Sequence, residues 1–288
     1  MPGKRLLFAL GSISLLLGAA WQARPVMADV PPQSAGYKKV MIVIFENIDY
    51  SVAMGQPFFA KLAHDGANLA NFTAQVHPSQ GNYIALTSGG LQGVTGDGNM
   101  DINSRNVVDL LEAQGHTWKV YAEGYPGNCF KGATRGRYAR KHNPFISYTD
   151  ISGNAQRCAH IVNADQLAQD VQNDAVPDYS FYVPDMDNDG HDTGVAYADR
   201  WYSGKFGPLM LDQRFMHNML LISTFDESSL SGGNHIYTVF NGDAVTPGSV
   251  SNVSYNHYST LHTIEAGLGL SDLGAKDAQA PLINGIWR

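Results

Sequence analysis

The sequence predicts an α/β fold built around a mostly parallel β-sheet, and three observations favour it. Apolar runs of strand length alternate with segments of helical hydrophobic periodicity along the chain. The strongest runs are apolar at almost every position, which is typical of parallel strands covered by helices on both faces. The 288 residues are 44% hydrophobic and only 16% charged, a composition that argues against disorder and a long coiled coil.

Four apolar runs are predicted as strands, and polar residues begin where each run ends. In open α/β sheets ligands bind at the carboxyl ends of the strands, so the polar groups after the first three of these runs should meet at one edge of the sheet. The runs and the groups that follow them are 40–45 (VMIVIF) before Glu46 and Asn47, 179–183 (YSFYV) before 184–192 (PDMDNDGHD), 219–225 (MLLISTF) before Asp226 and Glu227, and 235–240 before 241–243 (NGD).

Helical patterns lie between these strands. They cover residues 58–64, 107–114, 164–173 behind a possible Asn163 cap, and 259–267. A further short apolar helix follows Ser79 and should end at Gly89 and Gly90. A hydroxyl at a helix N-terminus lies close to unpaired backbone N–H groups, which favour an alkoxide and bind phosphate oxygens. Ser79 is therefore either a nucleophile or an ordinary helix cap.

Glu46, Asn47, Asp226 and Glu227 are hard oxygen donors that together would suit a divalent cation. Taken singly, each pair is also typical of a helix cap or a turn. Oxygen-rich ligation favours Ca²⁺, Mg²⁺ or Mn²⁺ over zinc.

The N-terminus has the layout of an export signal, with Lys4 and Arg5 before an apolar run at 6–20 and a plausible cleavage site at 26–28. We expect residues 1–28 to be a signal peptide and 29–288 a single domain that is periplasmic or extracellular. An uncleaved anchor is the alternative, although the run is shorter than the roughly 20 residues that span a membrane. No later segment of the sequence is long enough to do so.

Charge and cysteine content limit the possible partners. Without the signal, 16 basic residues face 26 acidic ones, a net charge of −10 that makes nucleic acid an unsuitable partner. An anionic substrate would then need a local positive charge such as a bound metal. Basic residues concentrate in 131–141, which would either grip a phosphorylated headgroup or form an ordinary solvated loop. Cys129 and Cys158 fit one disulfide in an exported protein, or two free thiols.

Five segments in order carry a resemblance to a known family: IVIFENIDY, NFTAQVHPSQGNYIALTSG, VPDMDNDGHD, STFDE with a later NHI, and YNHYSTLHTIE. They resemble the secreted phosphoesterases that include bacterial and fungal acid phosphatases and bacterial phospholipases C, within the alkaline phosphatase superfamily. The short acid phosphatases, one of which acts on a phosphoinositide in mycobacteria, are the most similar in size. The resemblance implies a three-layer αβα sandwich of the alkaline phosphatase type.

The resemblance also implies roles for individual residues. It identifies Ser79 as the nucleophile, and Ser79 would complete a metal shell with Glu46, Asn47, Asp226 and Glu227. Asp189, His191 and His257 would bind a second cation or protonate the leaving oxygen, with Asp187 as an alternative carboxylate. His77 and Asn82 would contact phosphate, and His142 is a further candidate for substrate contact.

The function that follows is a secreted, metal-dependent phosphomonoesterase acting through a phosphoserine, most active below neutral pH if a protonated histidine serves the leaving group. The substrate would be a small phosphorylated molecule or a phosphoinositide headgroup. A phospholipase C-type phosphodiesterase and a non-catalytic phosphate- or metal-binding protein are the alternatives. The oligomeric state is not predicted.

Overall fold

The structure is a computed structural model that describes Met1, Gly3 and residues 36–288. An eight-stranded sheet forms its centre, with the order β11-β2-β10-β9-β1-β8-β4-β7. Its strands are β1 (Lys39–Phe45), β2 (Ala67–Leu69), β4 (Trp118–Ala122), β7 (Ile161–Asn163), β8 (Tyr179–Val183), β9 (Met219–Phe225), β10 (Thr238–Asn241) and β11 (Ser249–Ser251). Only β10 runs antiparallel to its neighbours among these described strands, which confirms the predicted mostly parallel α/β sheet.

Two short strand pairs lie outside this sheet. They are β3 (Phe72–Thr73) with β12 (Tyr255–Asn256), and β5 (Thr134–Arg135) with β6 (Tyr138–Ala139). The helices are α1 (Tyr50–Met54), α2 (Pro57–Asp65), α3 (Gln80–Ser88), α4 (Val107–Ala113), α5 (Thr149–Ser152), α6 (Ala155–Cys158), α7 (Gln166–Gln172), α8 (Val195–Met210), α9 (Gln213–Met216) and α10 (His257–Gly267). Short 3₁₀ turns cover Arg140–His142, Pro144–Ser147 and Asp277–Gln279.

The predicted elements are present, with small shifts at their ends. Strands β8 and β9 have the predicted bounds, and α3 ends as predicted at Gly89, whose φ of 67° is a left-handed conformation that glycine adopts without a Cβ penalty. The helix predicted from residue 164 begins at Gln166 with Asp165 as its N-cap residue, and Asn163 is the last residue of β7. The last helix begins two residues early, at His257, because the side chain of Asn256 caps it.

Helices cover both faces of the sheet, as a three-layer αβα sandwich requires. Neighbouring residues of a strand point to opposite faces. On β8, Phe181 lies beside Tyr83 of α3, with ring centroids 6.5 Å apart, whereas Tyr182 packs edge-on against Phe206 of α8 at 5.0 Å. The two faces are thus buried by different helices, and β1, which lies between β8 and β9, is buried almost throughout.

Two features bear on the expected export. Cys129 and Cys158 form a disulfide with Cα atoms 5.7 Å apart, as one of the two alternatives anticipated. Apart from Met1 and Gly3, the predicted signal peptide at 1–28 lies outside the described residues. Within the part of the chain that the structure describes, no helix combines the length and apolar character needed to cross a membrane.

Candidate active site

Three adjacent parallel strands deliver polar residues to one edge of the sheet. Strand β1 lies between β9 and β8, so Glu46 stands between Asp226 on one side and the loop after β8 on the other. The backbone N–H of Glu46 donates to the carbonyl of Asp189 at 3.1 Å, and that of Asp226 donates to the carbonyl of Phe45 at 2.9 Å. Asn47 has a φ of 50°, a left-handed conformation that asparagine tolerates better than most residues and that turns the chain sharply after β1.

Ser79 lies against this edge, immediately before α3. Its hydroxyl is buried and donates to Oε2 of Glu46 at 2.9 Å. The same Oγ lies 3.2 Å from Oε1 of Glu227 and 3.3 Å from the carboxamide of Asn47. A serine hydroxyl is thus held at a helix N-terminus among oxygens from two separate strands.

The carboxamide of Asn47 lies at the centre of this oxygen cluster. Its terminal atom facing Ser79 is 3.2 Å from Oε2 of Glu46 and 3.1 Å from Oε1 of Glu227. The same atom is 3.2 Å from Oδ1 of Asp226, which also accepts the backbone N–H of Asn47 at 3.1 Å. In this arrangement the amide nitrogen donates to the carboxylates, whereas a cation bound here would take the amide oxygen as a ligand.

The spacing and chemistry of the cluster fit a hard divalent cation. Adjacent oxygens around an octahedral ion with bonds of about 2.1 Å lie about 3.0 Å apart, and the contacts of Ser79 Oγ with Glu46, Glu227 and Asn47 are 2.9–3.3 Å. Oδ2 of Asp226 is buried without a hydrogen-bond partner among the residues that the structure describes, a costly arrangement for a carboxylate that a cation would relieve.

The pKa values of the carboxyls report the same excess of negative charge. Burial, followed by the charge of Glu46, raises the pKa of Glu227 to about 7. Burial and the charges of Glu46 and Glu227 raise the pKa of Asp226 well above its usual range. These groups repel one another in a poorly solvated place, so a positive charge among them would favour their ionised forms.

A second group of ligands shares Glu46 with the oxygen cluster. Nε2 of His142 lies 3.0 Å from Oε1 of Glu46, and its Nδ1 lies 3.2 Å from Oδ2 of Asp189, all three side chains being almost fully buried. Their ligand atoms lie within 4.8 Å of one another and could hold a metal ion. Burial would lower the pKa of His142, but Glu46 and Asp189 outweigh it and raise the value to about 10, so the imidazolium itself can supply the positive charge.

Tyr83 supports this arrangement from α3. Its ring stacks on His142 with centroids 5.3 Å apart, and its hydroxyl donates to Oε1 of Glu46. Tyr83 and the central position of His142 were not predicted as parts of the site. One signal was available for Tyr83, which lies one helical turn after Ser79 and therefore on the same side of α3.

The two carboxylates left open by the sequence occupy different places. Asp189 is buried beside His142, and burial raises its pKa to about 6. Asp187 instead pairs with Nε of Arg137 at 3.1 Å, away from the cluster. The geometry therefore favours Asp189 as the carboxylate of the site.

His191 and His257 are not equivalent, although both were predicted as possible proton donors. The side chain of His191 is 30% exposed, its Nδ1 lies 2.8 Å from Asp192, and its ring centroid lies 6.2 Å from that of His142. His257 is fully buried, and its Nε2 lies 2.8 Å from the backbone carbonyl of Asp226. Burial lowers the pKa of His257 to about 4. The ring is therefore neutral near pH 7 and has no second proton to donate to a leaving group. It supports the Asp226 backbone instead.

The two residues expected to contact phosphate also differ. His77 is 28% exposed at its side chain and pairs through Nδ1 with Oε2 of Glu227 at 2.7 Å, directly before the Pro78–Ser79 turn. Asn82 is fully buried, and its carboxamide is used by the backbone. It accepts the N–H groups of Gln75 and Val76 and donates to the carbonyl of Val76. Asn82 thus holds the segment before Ser79 through both ends of its carboxamide.

The basic residues of 131–141 are mostly paired with acids of the same protein. Arg137 binds Asp187 and Asp192, Lys131 and Arg140 bind Asp101, and Lys141 binds Asp97. Most of this run therefore stabilises loops, and it is not a free basic surface. Lys141 differs from the other basic residues of this run in its location. It is 19% exposed at its side chain, and its partner Asp97 also binds the first residue of α3.

The chain was compared with known proteins. It matches the profile of the Phosphoesterase family over residues 48–271. A probable acid phosphatase of Kluyveromyces lactis is 34% identical over 92% of this chain, and an acid phosphatase of Aspergillus fumigatus is 32% identical over 94% of it. This chain spans 66% and 64% of the lengths of those two proteins, slightly less than two thirds.

Two further relatives are informative about length and fold. A phosphatidylinositol-3-phosphatase of Mycobacterium tuberculosis is 31% identical over 98% of this chain and 94% of its own. A solved alkaline phosphatase superfamily protein from Vibrio parahaemolyticus superimposes with a TM-score of 0.61 at 14% identity, covering 93% of this chain and 76% of that one, so the two share a fold. The family profile covers most of the described chain, and the resemblance seen in the sequence is confirmed: this protein belongs to the Phosphoesterase family.

Proposed function

We propose that the protein is a divalent-cation-dependent phosphomonoesterase of the acid phosphatase type, with Ser79 as its nucleophile. The observation that carries the proposal is the buried hydroxyl of Ser79 at the N-terminus of α3, within 2.9–3.3 Å of Glu46, Asn47 and Glu227. An ordinary helix cap would hold a backbone N–H with its side chain, and Ser79 makes no such bond. The acid phosphatases among its relatives support the same reaction.

The oxygen cluster is the proposed cation site. Glu46, Asn47, Ser79, Asp226 and Glu227 would hold the ion, with Mg²⁺, Mn²⁺ or Ca²⁺ preferred because every ligand is an oxygen. When bound, the cation would stabilise the Ser79 alkoxide and offset the charge of the phosphoryl oxygens. On the other side of Glu46, the ion pair with His142 already provides a positive charge, so one ion is proposed and a second is not required.

The reaction would proceed in two displacements. Ser79 Oγ attacks phosphorus in line as its proton passes to the nearest acceptor, Oε2 of Glu46. The Oγ–P bond forms as the bond from phosphorus to the ester oxygen breaks, leaving phosphoserine and an alcohol. Water then attacks phosphorus and gives its proton to His191, the Oγ–P bond breaks, and Ser79 recovers its proton from Glu46 as inorganic phosphate is released.

The departing alkoxide needs a proton donor at the mouth of the site. We assign this role to His191, which is partly exposed, lies near His142 and is oriented by Asp192. His77 would contact the phosphoryl group from the other side, since it directly precedes the Ser79 turn and pairs with Glu227. His257 is not assigned a proton-transfer role because its ring is buried on the Asp226 backbone.

The proposed substrate class is phosphate monoesters, including a phosphoinositide headgroup. The mycobacterial phosphatidylinositol-3-phosphatase supports the latter, because this chain matches almost its whole length. Export to the periplasm or the medium is also proposed. Its basis is the signal layout of the sequence, which lies outside the described residues. The domain boundary at 29 stays a prediction for the same reason.

Hydrolysis of p-nitrophenyl phosphate tests the proposal. We expect turnover that EDTA abolishes and that a divalent cation restores, and metal analysis should find one tightly held ion per chain. Ser79→Ala should lower kcat by at least about 10³-fold while retaining the cation through the remaining ligands. Ser88→Ala, a buried serine at the other end of α3, is the matched control and should keep most activity.

The alternatives give different results in the same assays. A phospholipase C-type enzyme would prefer bis(p-nitrophenyl) phosphate or phosphatidylcholine to the monoester. A binding protein would bind inorganic phosphate without turnover under any cation. Trapped phosphoenzyme carrying its phosphate on a residue other than Ser79 would overturn the assignment of the nucleophile.

A further inference from the structure

The backbone N–H that follows the nucleophile is already occupied by an acid. Gln80 is the first residue of α3, and its N–H donates to Oδ1 of Asp97 at 3.0 Å. Asp97 comes from a separate loop, residues 89–100, that passes over the start of the helix. A carboxylate therefore lies where a helix N-terminus would offer hydrogen bonds to a phosphate oxygen.

The second oxygen of Asp97 is held by a lysine. Nζ of Lys141 lies 3.0 Å from Oδ2 of Asp97, and only 19% of the lysine side chain is exposed. Lys141 directly precedes His142 in the 3₁₀ turn Arg140–His142, so the turn that brings His142 to Glu46 also brings this ammonium to the start of α3. One carboxylate thus receives two donors that a phosphate oxygen would also accept.

The loop that carries Asp97 has room to move. An added Cβ at Gly96 or at Gly98 would meet no atom within 4 Å, so both neighbours of Asp97 lie in open space. A cavity of about 200 Å³, lined in part by Thr95, Gly96, His77 and Pro78, separates this loop from the Ser79 turn. The side chain of Asp97 is itself 30% exposed.

We infer that Asp97 occupies the position of a phosphate oxygen in the resting enzyme and that an incoming phosphate monoester displaces it, so that the N–H of Gln80 and Lys141 bind the substrate. This inference rests on the proposed function, because it assigns the phosphate to the Ser79 site. Lys141 is then a substrate-binding residue, and Asp97 is an internal competitor that tunes affinity for phosphate.

Charge balance explains why displacement is required. A phosphate group beside Asp97 would place like charges together in a partly buried site that already holds Glu227 and Asp226. When Asp97 leaves, Lys141 exchanges one anionic partner for another and remains paired. The same exchange supplies the helix N–H with a new acceptor, so no donor is left unsatisfied.

Binding of inorganic phosphate, measured by isothermal titration calorimetry, tests the inference. The full chain with Ser79→Ala is used in excess Mg²⁺, so that neither turnover nor phosphoserine contributes. We expect Lys141→Met to weaken phosphate binding about tenfold, the value of one charge-assisted hydrogen bond. Asp97→Asn keeps the shape but removes the competing charge, and should tighten binding at least about threefold.

A matched control comes from a nearby ion pair. Lys131 and Asp101 lie 2.8 Å apart, away from the start of α3. Lys131→Met should change phosphate affinity less than about twofold. Cooperative thermal unfolding checks that each variant folds, and Lys141→Gln serves if Lys141→Met does not.

Two outcomes overturn the inference. In the first, Lys141→Met changes affinity no more than Lys131→Met does. In the second, Asp97→Asn leaves phosphate binding unchanged or weakens it, which would make Asp97 a support for the site and not a competitor. Turnover by wild-type protein is measured separately, so a failure of the proposed hydrolysis is distinguishable from a failure of this inference.

Discussion

At the scale of single residues, Glu46 joins two chemically different environments. Its Oε2 accepts from the Ser79 hydroxyl, and its Oε1 faces Tyr83 and the imidazole of His142. Burial opposes ionisation of Glu46, but the His142 ion pair keeps its pKa below the ordinary value. Glu46 is therefore anionic. Because one of its oxygens contacts the Ser79 hydroxyl, the same carboxylate can accept the proton of the nucleophile and contribute to the proposed cation site.

Cation binding should release protons. Burial and neighbouring charge raise the pKa of Glu227 to about 7 and that of Asp226 well above its usual range. Below these values protons occupy the ligands and must be displaced, so the affinity for Mg²⁺ or Mn²⁺ should rise with pH between about 6 and 8. Calorimetry in two buffers of different ionisation enthalpy measures the released protons directly.

Glu227→Gln should reduce both the released protons and the affinity for the cation. Glu265→Gln is the control, because Glu265 is also buried with a raised pKa but lies outside the cluster. An affinity that does not change with pH in the wild-type protein would contradict the proposed ligand set.

At the scale of elements, α3 positions the site through its first turn. Its N-terminus presents Ser79, and Asn82 in its first turn is bound to the backbone of Gln75 and Val76. This contact fixes the short segment that includes His77 and Pro78. Gly89 ends the helix, and no larger residue fits there because a Cβ would lie 2.2 Å from Oδ1 of Asp277.

Asn82→Ala separates positioning from phosphate contact. The loss of three buried hydrogen bonds should lower the free energy of unfolding by about 2 kcal/mol or more and should lower kcat with it, because the Ser79 turn loses its support. Chemical unfolding and steady-state kinetics on p-nitrophenyl phosphate measure the two effects. If Asn82 were instead a phosphate ligand, KM would rise while the free energy of unfolding stayed at the wild-type value.

At the scale of the whole molecule, one buried acid stands apart from the ion pairs of the surface. Glu265 of α10 is 1% exposed, and neither of its carboxyl oxygens has a hydrogen-bond partner among the described residues. Burial raises its pKa to about 9, with Asp277 and Asp272 adding to the effect. The folded protein therefore keeps Glu265 protonated at neutral pH.

This acid should make the fold less stable as pH rises. Between the ordinary pKa of 4.5 and the folded value of about 9, the folded state holds a proton that the unfolded state has lost. Stability then falls with increasing pH, by at most about 1.4 kcal/mol per pH unit for one proton. Glu265→Gln should flatten this slope and be more stable than wild type above about pH 7, as urea unfolding at several pH values would measure. Parallel curves for the two proteins would contradict the assignment.

The sequence alone determined the class of the fold and most of the oxygen cluster. Apolar runs specify buried strands, and polar residues directly after a strand must lie at its carboxyl end, so Glu46, Asn47, Asp226 and Glu227 could be expected at one edge. The Pro78–Ser79 step before a short apolar helix marked Ser79 as either a nucleophile or an ordinary helix cap. These features depend on local pattern and on one general rule for parallel sheets.

Only the tertiary structure decided which distant side chains complete the site. His142 contacts Glu46, and Asp189, not Asp187, lies beside His142. Asp97 binds the N–H of Gln80. The two residues of each of these contacts are distant in sequence. His257 and Asn82 carry suitable chemistry, but His257 binds the backbone through Nε2 and Asn82 through its carboxamide. Hydrogen bonding and burial depend on which elements pack together, and neither residue type nor local spacing contains that information.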